Sequence, residues 1–260
     1  GVWSWYLHPG NLEDEEFVTK AALMHGAKGF SRYMLVERDR WFDSPIRRDG
    51  RVREDQFDMF HRVNEVLKTN RHNPKAYYMK GMGYKEAGDT SLALSSFLTA
   101  TEQDQNYALA FEQMGLIYAV KHDSRASEFY KAALRINPKS PTVLYNLAKF
   151  YQDNGKPEQA VETYQELLRL SPDHAYAAYN IGYIRSELEG KPTEALDWFY
   201  KAAEMKPDYA EAHYMAGYCL EELGKKNDAI DAYRRSLRVS PAFLLARQAL
   251  TRLGAQADSQ

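Results

Sequence analysis

The chain has 260 residues, with 34 Lys and Arg against 36 Asp and Glu for a formal charge of −2. That balance excludes a protein built to grip the phosphate backbone of nucleic acid, which needs a basic excess, and 44% hydrophobic residues exclude wholesale disorder. The single cysteine, Cys219, excludes an internal disulfide framework and a zinc site made of thiolate pairs, and suits the cytosol or a cysteine-poor periplasm equally.

The N-terminal region is taken as 1–73. It starts at Gly1 rather than at methionine, so we expect its beginning to have been processed or cut away. Trp3, Trp5, Tyr6 and Leu7 form an aromatic cluster of the kind that sits at lipid headgroups beside an anchor, or else packs on the first helix. Asn11 followed by Glu13, Asp14, Glu15 and Glu16 reads as a helix start with acid in its first turn. That helix runs through Phe17, Ala21 and Met24 toward Trp41, with breaks at Gly26 and Gly29. The stretch 38–55, rich in both charges and holding Pro45 and Gly50, is predicted to be a surface loop. Phe57, Phe60, Val63, Val66 and Leu67 then recur at helical spacing and are expected to pack as an N-terminal cap or as half a degenerate repeat.

From residue 74 the sequence repeats itself. Gly81, Gly115, Ala148, Gly182 and Gly217 are 34, 33, 34 and 35 residues apart. Ala93, Ala126, Ala160, Ala195 and Ala229 keep step with them, each followed at +4 by a ring (Phe97, Tyr130, Tyr164, Phe199, Tyr233). At +7 stand Ala100, Ala133, Leu167, Ala202 and Ser236, and Pro138, Pro172, Pro207 and Pro241 close four of the units, with Gln105 in the first. Alanine, ring and small residue at these offsets share one helix face, and the glycine or alanine upstream belongs to a preceding helix. Short turns join the two, four of them with a glycine suited to a helix C′ position: Gly88, Gly155, Gly190 and Gly224, with Lys121-His122-Asp123 in the second copy. The glycine-to-alanine gap is 11 in copy two and 13 in copy four instead of 12; both length changes are expected in the exposed turn, since a packed helix tolerates them poorly. Residues 244–254 read as a final amphipathic helix with Leu245, Ala249, Leu250 and Leu253 inward and Arg247, Gln248 and Arg252 outward, and 255–260 as a frayed tail.

The motif of copy three, Leu144, Leu147, Ala148, Tyr151, Gly155, Ala160, Tyr164, Leu167 and Pro172, strongly resembles the tetratricopeptide repeat. Lys80 and Ala216 for the Leu-like residue, Arg185 for the tyrosine and Gln105 for the proline are local departures. The resemblance covers units 74–107, 108–140, 141–174, 175–209 and 210–243, and implies an all-α, right-handed superhelix of helical hairpins, with extra N-terminal helices and 244–260 as capping helix and tail. It also implies that first helices line a concave groove in which a partner lies.

By that resemblance the groove-facing residues include Leu109, Glu112 and Leu116 in copy two and Tyr145 and Lys149 in copy three. Tyr176, Tyr179 and Tyr183 follow in copy four, and Tyr214 and Tyr218, then Glu221 and Glu222, in copy five. Tyrosine gives contact area and one hydrogen bond at low entropic cost, which suits recognition, although a fifth-position tyrosine also packs between helices. On the recognition reading, alanine at Tyr179 and Tyr214 weakens partner capture without changing melting. The carboxylate clamp of chaperone-binding relatives is not reproduced: Asn180 fits, but Tyr145, Lys149, Glu211 and Met215 do not offer the required set.

No catalytic constellation is present. Lys80-Gly81-Met82-Gly83-Tyr84-Lys85 matches no nucleotide-loop spacing, the seven histidines do not pair at metal-ligand spacings, and Cys219 falls inside a helix as a packing residue. The sequence therefore predicts a non-enzymatic adaptor with no cofactor or metal, binding a protein or peptide and no nucleic acid. The alternative is an assembly subunit that forms a homo-oligomer through its N-terminal helices or convex face. The N-terminal rings point to a bacterial periplasmic or membrane-associated setting, with the cytoplasm as alternative.

Overall fold

In the computed structural model the described residues are 62–67 and 70–255, and every regular element among them is helical. The expectations for the N-terminal rings, the first helix, the charged loop at 38–55 and the tail at 256–260 fall outside them. Residues 62–67 are helical, with Val63 buried; Val66, expected to pack, is exposed instead.

The chain divides into two compact units, Gly1–Ile117 and Tyr118–Gln260. The first contains α1 (Pro74–Glu86) and α2 (Thr90–Gln103), packed as a hairpin, and most of α3 (Ala108–Val120). The second contains α4 (Arg125–Ile136), α5 (Pro141–Asp153), α6 (Pro157–Leu170), α7 (Ala175–Tyr183, continued by a π-helical turn Ile184–Leu188), α8 (Pro192–Met205), α9 (Ala210–Glu222), α10 (Lys226–Val239) and α11 (Leu244–Arg252). Each helix of this second unit packs on its neighbours in sequence.

The helix ends follow from local chemistry. Asn73, Asp89 and Ser140 accept from the backbone N–H of Ala76, Leu92 and Val143, and Pro74, Pro141, Pro157 and Pro192 occupy first-turn positions where no N–H is needed. At the hairpin turns the chain enters the left-handed region, as at Gly155 (φ 67°), where Lys156 N–H returns to Tyr151 C=O and Gly155 N–H to Gln152 C=O. The turn at His122 makes the same pair of bonds, His122 N–H to Ala119 C=O and Asp123 N–H to Tyr118 C=O, at φ 51° without a glycine. It is held by Arg125, whose guanidinium lies 4.2 Å from the Tyr118 ring and pairs with Asp123.

The repeated residues are the core. The alanines at 93, 126, 160, 195 and 229, the rings four residues on and the small residues after them are all essentially fully buried. The glycines explain how close the helices come: a Cβ on Gly217 would stand 2.7 Å from the Tyr233 ring, and one on Gly182 would stand 2.9 Å from Phe199. Ser236, buried with the rest, donates to Ala210 C=O at 2.8 Å, so its hydroxyl is satisfied.

Two expectations are corrected, for copy four and for the last helix, and the one for copy two holds. The extra residue of copy four lies inside the first helix, where the π-helical turn Ile184–Leu188 absorbs it and lets Gly190 keep its place in the turn. In copy two the missing residue does fall at the turn, but it also shortens α4 to 12 residues where α2, α6, α8 and α10 have 14. In α11 the buried residues are Ala246, Ala249 and Leu250; Leu245 is 51% exposed beside Leu244 at 61%, because the stripe facing α10 begins one residue later than the leucine pattern suggests.

Candidate functional site

In the second unit the first helices α5, α7 and α9 present the residues that the sequence assigns to a binding face. Their tyrosines divide into two kinds. Tyr145, Tyr179 and Tyr214, at the fifth position, are half-buried between two other rings of their own hairpin. Tyr145 lies 5.8 Å from Tyr164 of α6 and 5.3 Å from His174. Tyr179 lies 5.4 Å from Phe199 of α8 and 5.0 Å from Tyr209. Tyr214 lies 5.5 Å from Tyr233 of α10 and 5.5 Å from Phe243. The first unit repeats the arrangement with Tyr78, 5.7 Å from Phe97 and 5.5 Å from Tyr107. A fifth-position tyrosine is thus a pier between the second helix and the loop that ends the unit. Ring pairs of this kind contribute about 0.5–1.5 kcal/mol beyond the area they bury. The expectation that Tyr179 and Tyr214 can be removed without affecting stability is corrected accordingly.

The loop rings Tyr107, His174, Tyr209 and Phe243 were missed in the sequence. Their signal is a ring two residues after Gln105, Pro172, Pro207 and Pro241. Copy two has neither half of the pair, with Glu112 at its fifth position and Ser140 after Pro138.

Of the second kind, two stand open and one does not. Tyr176 and Tyr183 are 44% and 36% exposed, and Tyr218 is partly buried with its hydroxyl bonded to Glu222. Around them the face is acidic. Glu187 and Glu211 both act on Tyr179, whose hydroxyl is pushed up to about 12, first by burial and then by these carboxylates. Glu187 also acts on Tyr214 and Tyr218. Glu221 is engaged: it accepts from Tyr233 at 2.8 Å and from the Arg252 guanidinium at 2.8–3.2 Å, and Arg252 holds its carboxyl below the ordinary range. Asn180 donates to the Tyr164 hydroxyl at 2.9 Å and lies 3.4 Å from that of Tyr145, so it braces α7 against α5 and α6. Lys149 is paired with Asp153 one turn on, at 3.0 Å.

The copy-two candidates of the first unit look different. Leu109 is 51% exposed and Leu116 half-buried. Burial raises the Glu112 carboxyl above its ordinary range and Lys85 pulls it back, while Lys85 Nζ also donates to Gln113 at 2.7 Å. Cys219, in α9, is buried with its thiol 3.8 Å from the Ser186 hydroxyl and pushed up to about 11 by burial, the opposite of what a nucleophile needs. Among the described residues no three His, Cys, Asp or Glu side chains group as metal ligands, and no helix is long and apolar enough to cross a membrane.

An all-α stack of helical hairpins with alanine, ring and small residue in register is a helical-repeat protein, and the match to known families makes the class specific. Models of the tetratricopeptide repeat match residues 74–107, 145–210 and 210–243, and the chain belongs to the tetratricopeptide-repeat family. Over 123 residues it is 29% identical to the Photosystem I assembly protein Ycf3 of Cyanophora paradoxa, a match spanning 40% of this chain and 71% of that protein. The Ycf3 protein of Rippkaea orientalis is 27% identical over 140 residues, 45% of this chain and 80% of that one. Among solved structures the chain resembles YrrB, described as a TPR protein with an unusual peptide-binding site, at 22% identity over 73% of this chain and 97% of that one (TM-score 0.61). It also resembles MamA, at 18% identity over 69% and 94% (TM-score 0.59). These structural likenesses speak to the fold.

Proposed function

We propose that the protein is a non-enzymatic adaptor that holds a segment of a partner polypeptide on the first-helix face of its second unit, in the service of assembling a larger complex. The observation that carries this reading is the open ring of Tyr183 on α7, with the partly buried Tyr218 on the next first helix, above fully buried layers. An exposed ring that enters no ring pair among the described residues, carried on buried helix layers, is suited to anchor an interface. The similarity to photosystem assembly proteins supports the assembly role, and the peptide-binding site named for YrrB supports a polypeptide as the ligand.

The test separates binding from folding. The intact chain and its Tyr183→Ala/Tyr218→Ala variant are used as baits in native extract, with captured proteins identified by mass. We expect a defined partner to be retained by the parent and lost from the variant, an effect of about tenfold or more if the two rings act as anchors, with melting unchanged. Equal capture by both removes this face from the function.

A further inference from the structure

The first-helix face of the second unit contains a cation receptor that the chain fills with a residue of its own. Lys206 follows α8 in the loop before α9. Its ammonium donates to the Tyr176 hydroxyl at 2.6 Å and lies 4.7 Å from the centroid of the Tyr176 ring and 5.3 Å from that of Tyr209. The two rings meet edge-to-face at 5.2 Å, and the Glu211 carboxylate acts on both Tyr209 and Lys206. Two π faces, one hydroxyl acceptor and a carboxylate make a receptor for an ammonium or guanidinium group. Nothing else in the packing requires the lysine there, because Tyr209 is already held by Tyr179 at 5.0 Å.

The rest of the face carries a surplus of negative charge. Neither Glu187, Glu211 nor Glu222 forms an ion pair with a described residue, whereas the cations around them are engaged. Arg185 pairs with Glu189, Lys191 also pairs with Glu189, and Arg252 pairs with Glu221. Glu222 accepts from the Tyr218 hydroxyl and Glu187 acts on it as well, so a ring together with carboxylates recurs one hairpin along from the Lys206 site.

We propose that the segment held on this face is basic and extended, with one Lys or Arg side chain displacing Lys206 from its place against Tyr176 and Tyr209 and others lying against Glu187 and Glu222. The proposal rests on the binding role given above and adds the chemistry of the partner. It also gives Lys206 a role: it keeps the ring pair occupied while the face is empty and competes with the incoming cation.

Fluorescence anisotropy on the full chain tests this with three labelled peptides of equal length: leucine alternating with arginine, with citrulline, or with glutamate. Citrulline keeps the shape of arginine and removes its charge. We expect the arginine peptide to bind about tenfold or more tighter than the citrulline peptide, and Glu187→Gln/Glu222→Gln to remove most of that difference. Lys206→Ala should tighten the arginine peptide several-fold and leave the citrulline peptide unchanged. Equal binding of arginine and citrulline peptides, with both lost in Tyr183→Ala/Tyr218→Ala, overturns the basic preference and leaves the face as a binding surface. Arginine-peptide binding indifferent to both double variants, preference for glutamate, or weaker arginine-peptide binding by Lys206→Ala overturns the proposal, the first of these overturning the binding face as well. Melting curves of each variant confirm that the comparisons are made on folded protein.

Discussion

Two tyrosines of α7, one turn apart, behave as if they belonged to different proteins. Tyr179 is caught between Phe199 and Tyr209; Tyr183, four residues later on the same helix face, is in no ring pair among the described residues and stands open. In the next hairpin Tyr214 is likewise caught between Tyr233 and Phe243, whereas Tyr218, also partly buried, bonds Glu222 and enters no ring pair among the described residues. What decides burial is therefore less the helix that carries the tyrosine than what the second helix and the following loop bring to meet it. The seam between helices uses the ring for its area, whereas on the face the Tyr183 ring is left to a guest.

The seam can be tested at its base first. Phe199 is fully buried, touches the space that Gly182 leaves open and supports Tyr179. Replacing it with alanine removes a whole ring and leaves a cavity, and Phe199→Ala should cost about 3–5 kcal/mol in guanidinium unfolding. A cost under about 1 kcal/mol would mean that the hairpin layers collapse around the gap and that the seam does not order the face above it.

One step outward, Tyr179→Ala should cost about 1–3 kcal/mol, less than Phe199 because Tyr179 is only half-buried, yet more than a surface residue because two ring contacts go with it. Its hydroxyl gives a second reading. Burial, then Glu211 and Glu187, raise its folded-state pKa to about 12 from the ordinary tyrosine value of 10.0. Between those values the unfolded chain gives up this proton and the folded chain keeps it. The contribution is therefore fully present below pH 10.0 and is lost as pH rises toward about 12. Unfolding midpoints taken at about pH 8 and about pH 11 should show a smaller alkaline loss in Tyr179→Phe than in the parent. An identical loss in both would place the titrating group elsewhere.

Much of the fold is written in the sequence, because tetratricopeptide hairpins bury small residues at fixed offsets. Ala195, Phe199 and Ala202 could be named as core from their spacing alone, and the turn glycines from the helix end they must close. The π-helical turn at Ile184–Leu188 could not. A gap of 13 instead of 12 shows that a residue has been added but not where, and the choice between loop and helix depends on whether Gly190 or Gly182 must hold its position. Both do, so the helix between them takes the strain. The candidate site was legible as a set of positions and illegible as a set of roles. Tyr145, Tyr179 and Tyr214 looked like binding residues because the rings that claim them, His174, Tyr209 and Phe243, lie in a loop some thirty residues away in sequence. Lys206 carried no signal at all, since a lysine after a helix is ordinarily just a solvated charge.

The smallest expected effect is also the one on which the comparison turns. Tyr183→Ala shortens an exposed side chain that is part of no ring pair among the described residues, so its effect on unfolding should stay within about 0.5 kcal/mol, below that of Tyr179→Ala on the same helix face. The two variants share backbone, helix propensity and chemistry of substitution; they differ only in whether Phe199 and Tyr209 enclose the ring. If Tyr183→Ala proves as costly as Tyr179→Ala, the open rings belong to the scaffold, and the first-helix face has no tyrosine to spare for a partner.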